Sequence, residues 1–171
     1  MRKIFLFTFI FLSFISISFA ENLKFKKITS LNKPWGSSFI SNDEIIITEK
    51  GGKIKIVNIL TSNQKEIEHN LNFLEDGQGG LLDILYKNNF IYISYTEDRG
   101  DRKSSTSIAK AKLNKEKLLF KNIFQANPPI SSGYHFGSRL GIKDNYLYAS
   151  VGERGKGMIA QDASKHPGSI I

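Results

Sequence analysis

Gly137-Ser-Arg-Leu-Gly-Ile142, then Lys143-Asp-Asn145, then Tyr146-Leu-Tyr-Ala-Ser-Val151, is the stretch that decides the fold. A glycine opens a short apolar run, a polar turn follows, and an aromatic and β-branched strand comes next. The same unit stands twice earlier. Gly36-Ser-Ser-Phe-Ile40 leads through Ser41-Asn-Asp43 into Glu44-Ile-Ile-Ile-Thr-Glu49, and Gly80-Leu-Leu-Asp-Ile-Leu-Tyr86 leads through Lys87-Asn-Asn89 into Phe90-Ile-Tyr-Ile-Ser-Tyr95. The opening glycines are 44 and 57 residues apart. Four-stranded propeller blades repeat about every 40–50 residues. The longer second interval accommodates an insertion over Ala126–Tyr134, which carries Pro128-Pro129. A generic β-sandwich would explain the strands but not the thrice-repeated unit.

Other segments read as strands too. Lys53–Ile59 alternates, with Gly51-Gly52 as a hairpin signal before it, and Ser105–Leu113 is strand-like. No segment holds helical spacing over three turns. Asn63–Leu74 is the best candidate for a short helix and is read as a loop. The expectation is an all-β fold, an incomplete β-propeller of four-stranded antiparallel blades. Propellers have about four to eight blades, and this length makes about three. Three blades leave open edges. The chain therefore reads as the N-terminal part of a longer protein, or a truncated product of one.

The N-terminus is read separately. Arg2-Lys3 precedes an apolar run over Ile4–Phe19, and Ser18-Phe19-Ala20 supplies a small-residue cleavage site. That is a secretory signal peptide over residues 1–20, cleaved after Ala20, with residues 21–171 as the propeller portion. The run is shorter and richer in Ser than a membrane-spanning helix of about 20 apolar residues. No stable membrane insertion is expected, and the periplasm is the expected location, with secretion as the alternative. The chain has no Cys, so the fold relies on its core, for which 40% hydrophobic residues suffice. The net charge of +8 is scattered over turns and strand ends. A nucleic-acid footprint needs clustered cations with stacking aromatics, so nucleic acid is not an expected partner.

In a propeller, the loops entering each inner strand form the functional face. Pro34-Trp35, Asp76-Gly77-Gln78 and Tyr134-His135 are therefore expected to converge. An imidazole at the lip of a strand is suited to proton removal, and a neutral amide such as Gln78 can orient a hydroxyl. His135 could also be a plain strand-edge residue, and Trp35 a blade-packing one. Other residues read as structural. His69 is expected to be solvated, and His166 to fix a turn before the last strand. Arg139 is read as a cation holding inner-strand or loop carboxylates. Glu97, Asp98 and Asp101 make a poor cation loop beside Arg99, Arg102 and Lys103. Gly152-Glu-Arg-Gly-Lys-Gly157 lacks the Ser/Thr and the helix of a phosphate loop.

The motifs resemble those of a known family. Leu31–Gly36 resembles L-x-x-P-W-G, Thr48–Ile54 resembles T-E-[RK]-x-G-[RK]-[LI], and Gly77–Leu82 resembles G-Q-G-G-L-L. Ser94–Glu97 resembles S-Y-[ST]-E, and Ala160-Gln-Asp162 with His166 and Gly168 resembles A-Q-[DN]…H-x-G-K. Together these resemble the soluble PQQ-dependent aldose sugar dehydrogenases, the glucose/sorbosone dehydrogenase family.

The resemblance implies a six-bladed propeller with PQQ over the channel mouth and a Ca²⁺ ion polarising the quinone. It implies oxidation of aldose sugars to lactones, with an unidentified electron acceptor. His135 falls on the base that takes the C1 hydroxyl proton. Gln78 falls on a cofactor- or sugar-contacting position, and Tyr134 and Trp35 are substrate-binding candidates. The glucose-oxidising branch has an acid immediately before the His. Here Tyr134 stands there, which makes the broader aldose branch the match. The family's Arg-Asn pair that clamps PQQ and its Ca²⁺ ligands fall beyond Ile171, so no metal ligand is assigned and these residues alone are expected to be inactive. The rival readings are a metal-dependent propeller lactonase and a non-catalytic glycan- or protein-binding propeller.

Overall fold

Each glycine-opened unit is the start of a separate antiparallel sheet. The structure is a computed structural model and describes residues 24–171, so the expected signal peptide lies outside the described residues. The first sheet runs in order β1 (Pro34–Phe39), β2 (Glu44–Glu49), β3 (Lys53–Asn58) and β4 (Gln64–His69). The second begins with β5 (Leu81–Lys87), β6 (Phe90–Asp98) and β7 (Ser104–Lys112). The chain then forms the short β8 (Lys117–Leu118), and β9 (Lys121–Gln125) completes the second sheet beside β7. The third sheet holds β10 (Gly137–Lys143), β11 (Tyr146–Val151) and the short β12 (Ser169–Ile170). The inner strand β5 lies against both β1 and β10. The fold is all-β, with successive blades of a propeller side by side. No helix among the described residues is long and apolar enough to cross a membrane.

The segment Asn63–Leu74, read as a loop, contains the strand β4 instead. Only Ile67 of β4 is buried, opposite Ile54 on β3, while its other side chains are polar and mostly exposed. An outer strand buries one residue and shows the rest to water, so its alternation is too weak to read. β9 has no fully buried residue, and its alternation is weaker still. β8 leaves the second sheet to pair in parallel with β4, at Glu68–Lys117 and His69–Leu118. It covers part of the exposed edge of the first sheet.

One apolar cluster fills the space between the first two sheets, with Ile46, Ile54, Ile56 and Ile67 against Leu81, Ile84, Ile91 and Ile93. A smaller one, centred on Ile108, Leu140 and Ala149, joins the second and third. Inner strands approach closely. A Cβ on Gly36 would lie 2.7 Å from the Cα of Asp83, so only Gly lets β1 pass β5 here.

Polar side chains then tie blade to blade. Thr48 Oγ1 donates to the Leu82 carbonyl at 2.5 Å, and Ser94 Oγ to the Ser138 carbonyl at 2.7 Å. The buried Asp83 carboxylate accepts from the Leu140 N–H at 2.8 Å and from Arg139 Nη1 at 3.2 Å. Arg139 thus holds an inner-strand carboxylate.

The Ser94–Glu97 motif is architectural in this chain. Thr96 Oγ1 accepts the Gly80 N–H at 3.1 Å, and Glu97 is held by Ser107, Asn122 and Gln125 at 2.6–2.8 Å. Burial, with the Glu97 charge beside it, pushes the Tyr95 hydroxyl up to about 12.

Glu49 makes a testable pH prediction. Its buried carboxylate accepts from the Asn32 N–H at 2.8 Å and from Lys55 Nζ at 2.9 Å. Burial pushes its pKa up, but those two donors outweigh it, and the net direction is down. A carboxyl depressed in the folded state stabilises above its unfolded value of about 4.3, and that stability is lost as pH falls through the folded value. The urea midpoint of the protein should exceed that of Glu49→Gln near neutral pH, and the gap should close on acidification. A gap constant with pH would contradict this.

Candidate active site

His135 lies two residues before β10, in the loop that enters the inner strand of the third sheet. Gln78 lies three residues before β5, in the equivalent loop one sheet earlier. The two loops are joined. The Gln78 N–H donates to the Gly133 carbonyl at 2.7 Å, and the His135 N–H donates to Gln78 Oε1 at 2.9 Å. A Cβ on Gly77 would lie 2.4 Å from the Gly133 oxygen, so the contact needs glycine there. Gln78 and His135 therefore converge as the repeat requires, with the Gln78 carbonyl oxygen committed to bracing the His135 backbone.

The other two candidates differ. The Tyr134 ring is exposed and meets the His135 imidazole edge to face, with centroids 6.3 Å apart. Trp35, at the start of β1, is 47% exposed. Among the described residues, no hydrogen bond or aromatic pair joins Trp35 to Gln78 or His135.

Glu153 is the functional residue that sequence reading missed. Its carboxylate Oε1 pairs with His135 Nδ1. That hydrogen bond holds the Glu153 carboxyl below the usual carboxylate range. An ionised carboxylate only accepts, so Nδ1 carries a proton, and in the neutral imidazole the lone pair is therefore on Nε2. Nε2 has no hydrogen-bond partner among the described residues, and the His135 side chain is 54% exposed. The site thus presents an oriented, open base. The acid missing before His135 is supplied from across the hairpin. β10 and β11 pair Gly137 with Val151, and two steps outward on each strand reach His135 and Glu153. The register set by the turn would put Arg154 opposite His135, and the irregularity between Gly137 and Leu140 shifts the partner to Glu153, which is why sequence spacing does not show it.

Arg154 follows, and it is buried rather than part of an open phosphate loop. The segment after it makes a 3-10 turn over Gly157–Gln161, not an α-helix.

The remaining histidines are structural. His69 is half-buried rather than solvated, with Nε2 on the Gly52 carbonyl at 2.8 Å and Nδ1 accepting the Leu71 N–H at 3.3 Å. His166 Nδ1 accepts the Asn127 N–H at 2.9 Å and its own N–H donates to the Asn127 carbonyl at 3.0 Å. It fixes the root of the Ala126–Tyr134 insertion. A cleft of about 250 Å³ lined by Lys87, Phe90, Lys110 and Leu147 opens at the opposite end of the strands, away from this chemistry. Among the described residues, no three His, Cys, Asp or Glu side chains group to hold a metal ion.

The family model described as Glucose / Sorbosone dehydrogenase matches residues 31–171. The chain belongs to the glucose/sorbosone dehydrogenase family. Aldose sugar dehydrogenase YliI of Escherichia coli is 30% identical over 151 residues, which cover 82% of this chain and 41% of that protein. The solved apo-form of the soluble aldose sugar dehydrogenase of Escherichia coli is 29% identical, with a TM-score of 0.76 over 82% of this chain and 44% of that one. The PQQ-bound aldose sugar dehydrogenase of Streptomyces coelicolor, 24% identical, has the same fold, with a TM-score of 0.74 over 84% of this chain and 45% of that one. The chain spans about two fifths of the length of the curated relatives it matches. In this glucose/sorbosone dehydrogenase chain the motif residues divide into two sets. Thr48 and Ser94 join one blade to the next, Thr96 and Glu97 brace the second blade internally, and Gln78 and His135 meet at the site.

Proposed function

We propose that this chain carries the proton-removing part of a PQQ-dependent aldose dehydrogenase site, in an exported protein that oxidises aldoses to lactones. The observation that carries the reading is the His135–Glu153 pair, which leaves Nε2 of His135 as an unbonded base. The Gln78 amide beside it is neutral, and with its oxygen held by the His135 N–H its NH₂ group is suited to donate to a sugar hydroxyl.

These residues fit the base side of such a site, and the motif resemblance supports PQQ as its cofactor. Bound PQQ would supply the acceptor for the hydride that leaves C1. His135 would take the C1 hydroxyl proton on Nε2, and the carbonyl formed at C1 makes the product a lactone. Glu153 would hold the ring orientation and stabilise the imidazolium that results. The described residues offer no carboxylate cluster for Ca²⁺, so no step is assigned to a metal. Export rests on the Arg2–Ala20 leader pattern.

The test is dye reduction by the complete protein, supplied with PQQ and Ca²⁺, across a panel of aldoses. Folded, PQQ-loaded protein that oxidises none of them would overturn the reading. Within it, Glu153→Gln keeps the size of the side chain but loses its charge. We expect a fall in kcat of about 10–100-fold, typical of removing a carboxylate that orients a functional histidine. Unchanged kcat would show that Glu153 does not orient the base.

A further inference from the structure

Arg154 is 2% exposed and, among the described residues, pairs with no carboxylate, yet it makes more hydrogen bonds to main-chain carbonyls than any other side chain near the site. Its Nε donates to the Tyr134 carbonyl at 3.1 Å and its Nη1 to the Ser104 carbonyl at 2.8 Å. Nη2 reaches Ser104 Oγ at 3.0 Å and also the Ser132 carbonyl. The guanidinium lies 3.7 Å above the Phe136 ring centroid, and the Arg154 N–H donates to the His135 carbonyl at 3.2 Å. Every residue from Ser132 to Phe136 except Gly133 is thus touched by Arg154. Burial lowers its pKa to about 10, with Asp76 opposing, so it remains a cation at neutral pH.

The backbone it holds is strained. His135 has φ +51° and Arg154 itself φ +61°, a region that side chains other than Gly seldom occupy. Such residues persist where their surroundings over-determine them. Arg154 also follows Glu153 directly. One short segment therefore delivers the carboxylate to the imidazole and the guanidinium to the loop that carries it.

We propose that Arg154 is a positioning residue for His135: its buried guanidinium fixes the Ser132 and Tyr134 carbonyls so that the imidazole stays on Glu153 with Nε2 open. This rests on the base role of His135 given above. Lys cannot replace the fork, because an ammonium is a point charge that does not span divergent carbonyls as a planar guanidinium does. The positioned ring, not the charge, is what Arg154→Lys would lose.

The experiment is Arg154→Lys in the complete protein, alone and with His135→Ala. We expect kcat to fall about 10²-fold, as small misplacements of a reacting group do, with little change in the sugar KM. The double variant should be no slower than His135→Ala alone. In the cofactor-free protein labelled with ¹⁵N-His, the His135 ring signals should move towards those of a free imidazole. Losses that multiply in the double variant, or unchanged His135 ring signals in folded Arg154→Lys, would overturn the proposal. Should Arg154→Lys not fold, Ser104→Ala removes one anchor of the guanidinium, and the ring signals should shift in the same direction by less; no shift overturns it. If His135→Ala alone keeps full turnover, the base role fails, and the ring signals still decide whether Arg154 positions the imidazole.

Discussion

His135→Ala is expected to lower the kcat of aldose oxidation by about 10²–10⁴-fold, the range for loss of a positioned general base. The reason is the tautomer. Nδ1–H donates to the Glu153 carboxylate, so in the neutral imidazole Nε2 has its lone pair free where the side chain meets solvent. Alanine removes the base and leaves the Glu153 carboxylate to water. Stability should change little, since the lost ring is half-exposed. The backbone needs care, however, because φ at His135 is +51° and Ala pays to sit there. His135→Asn, which tolerates that conformation better, is the matched control and should be as inactive. Turnover of the PQQ-loaded complete protein is the measurement. A twofold loss in both variants would reduce His135 to a strand-edge residue.

Gly152→Ala should be the most damaging single methyl in the site. A Cβ at Gly152 would stand 1.9 Å from the His135 carbonyl oxygen and 2.5 Å from its carbon. Both are backbone atoms, with no flexible end to move aside. The β10–β11 hairpin would have to open at its mouth, which also breaks the hydrogen bonds from the Gly152 N–H to Phe136 and from the Arg154 N–H to His135. We expect a loss of about 3 kcal/mol, at the upper end for overpacking, with activity lost even where the protein stays folded. Urea unfolding and turnover measure the two separately. Gly157→Ala is the control, because nothing lies within 4 Å of its added Cβ. Equal effects from the two substitutions would refute the steric argument.

The parts legible in sequence are those with strong local signals. Tyr146–Val151 forms a strand over its whole length, because its aromatic and β-branched residues sit beside an inner strand that buries Ala149 and Val151. The outer strands β4 and β9 were not legible, since a strand at the rim of a blade buries too little to show a period. The resemblance puts an acid immediately before His135, where Tyr134 stands. The acidic partner of His135 in the fold is Glu153, 18 residues away, because a hairpin brings its two ends together.

The sequence by itself determined the repeat, the family and the pair Gln78 and His135, because spacing and motif are properties of the linear chain. The tertiary structure alone decided that Glu153 orients the imidazole and that Arg154 is buried beneath the loop. Those depend on hairpin register and on which carbonyls are left without partners once two sheets meet, and neither is written in the order of residues near His135.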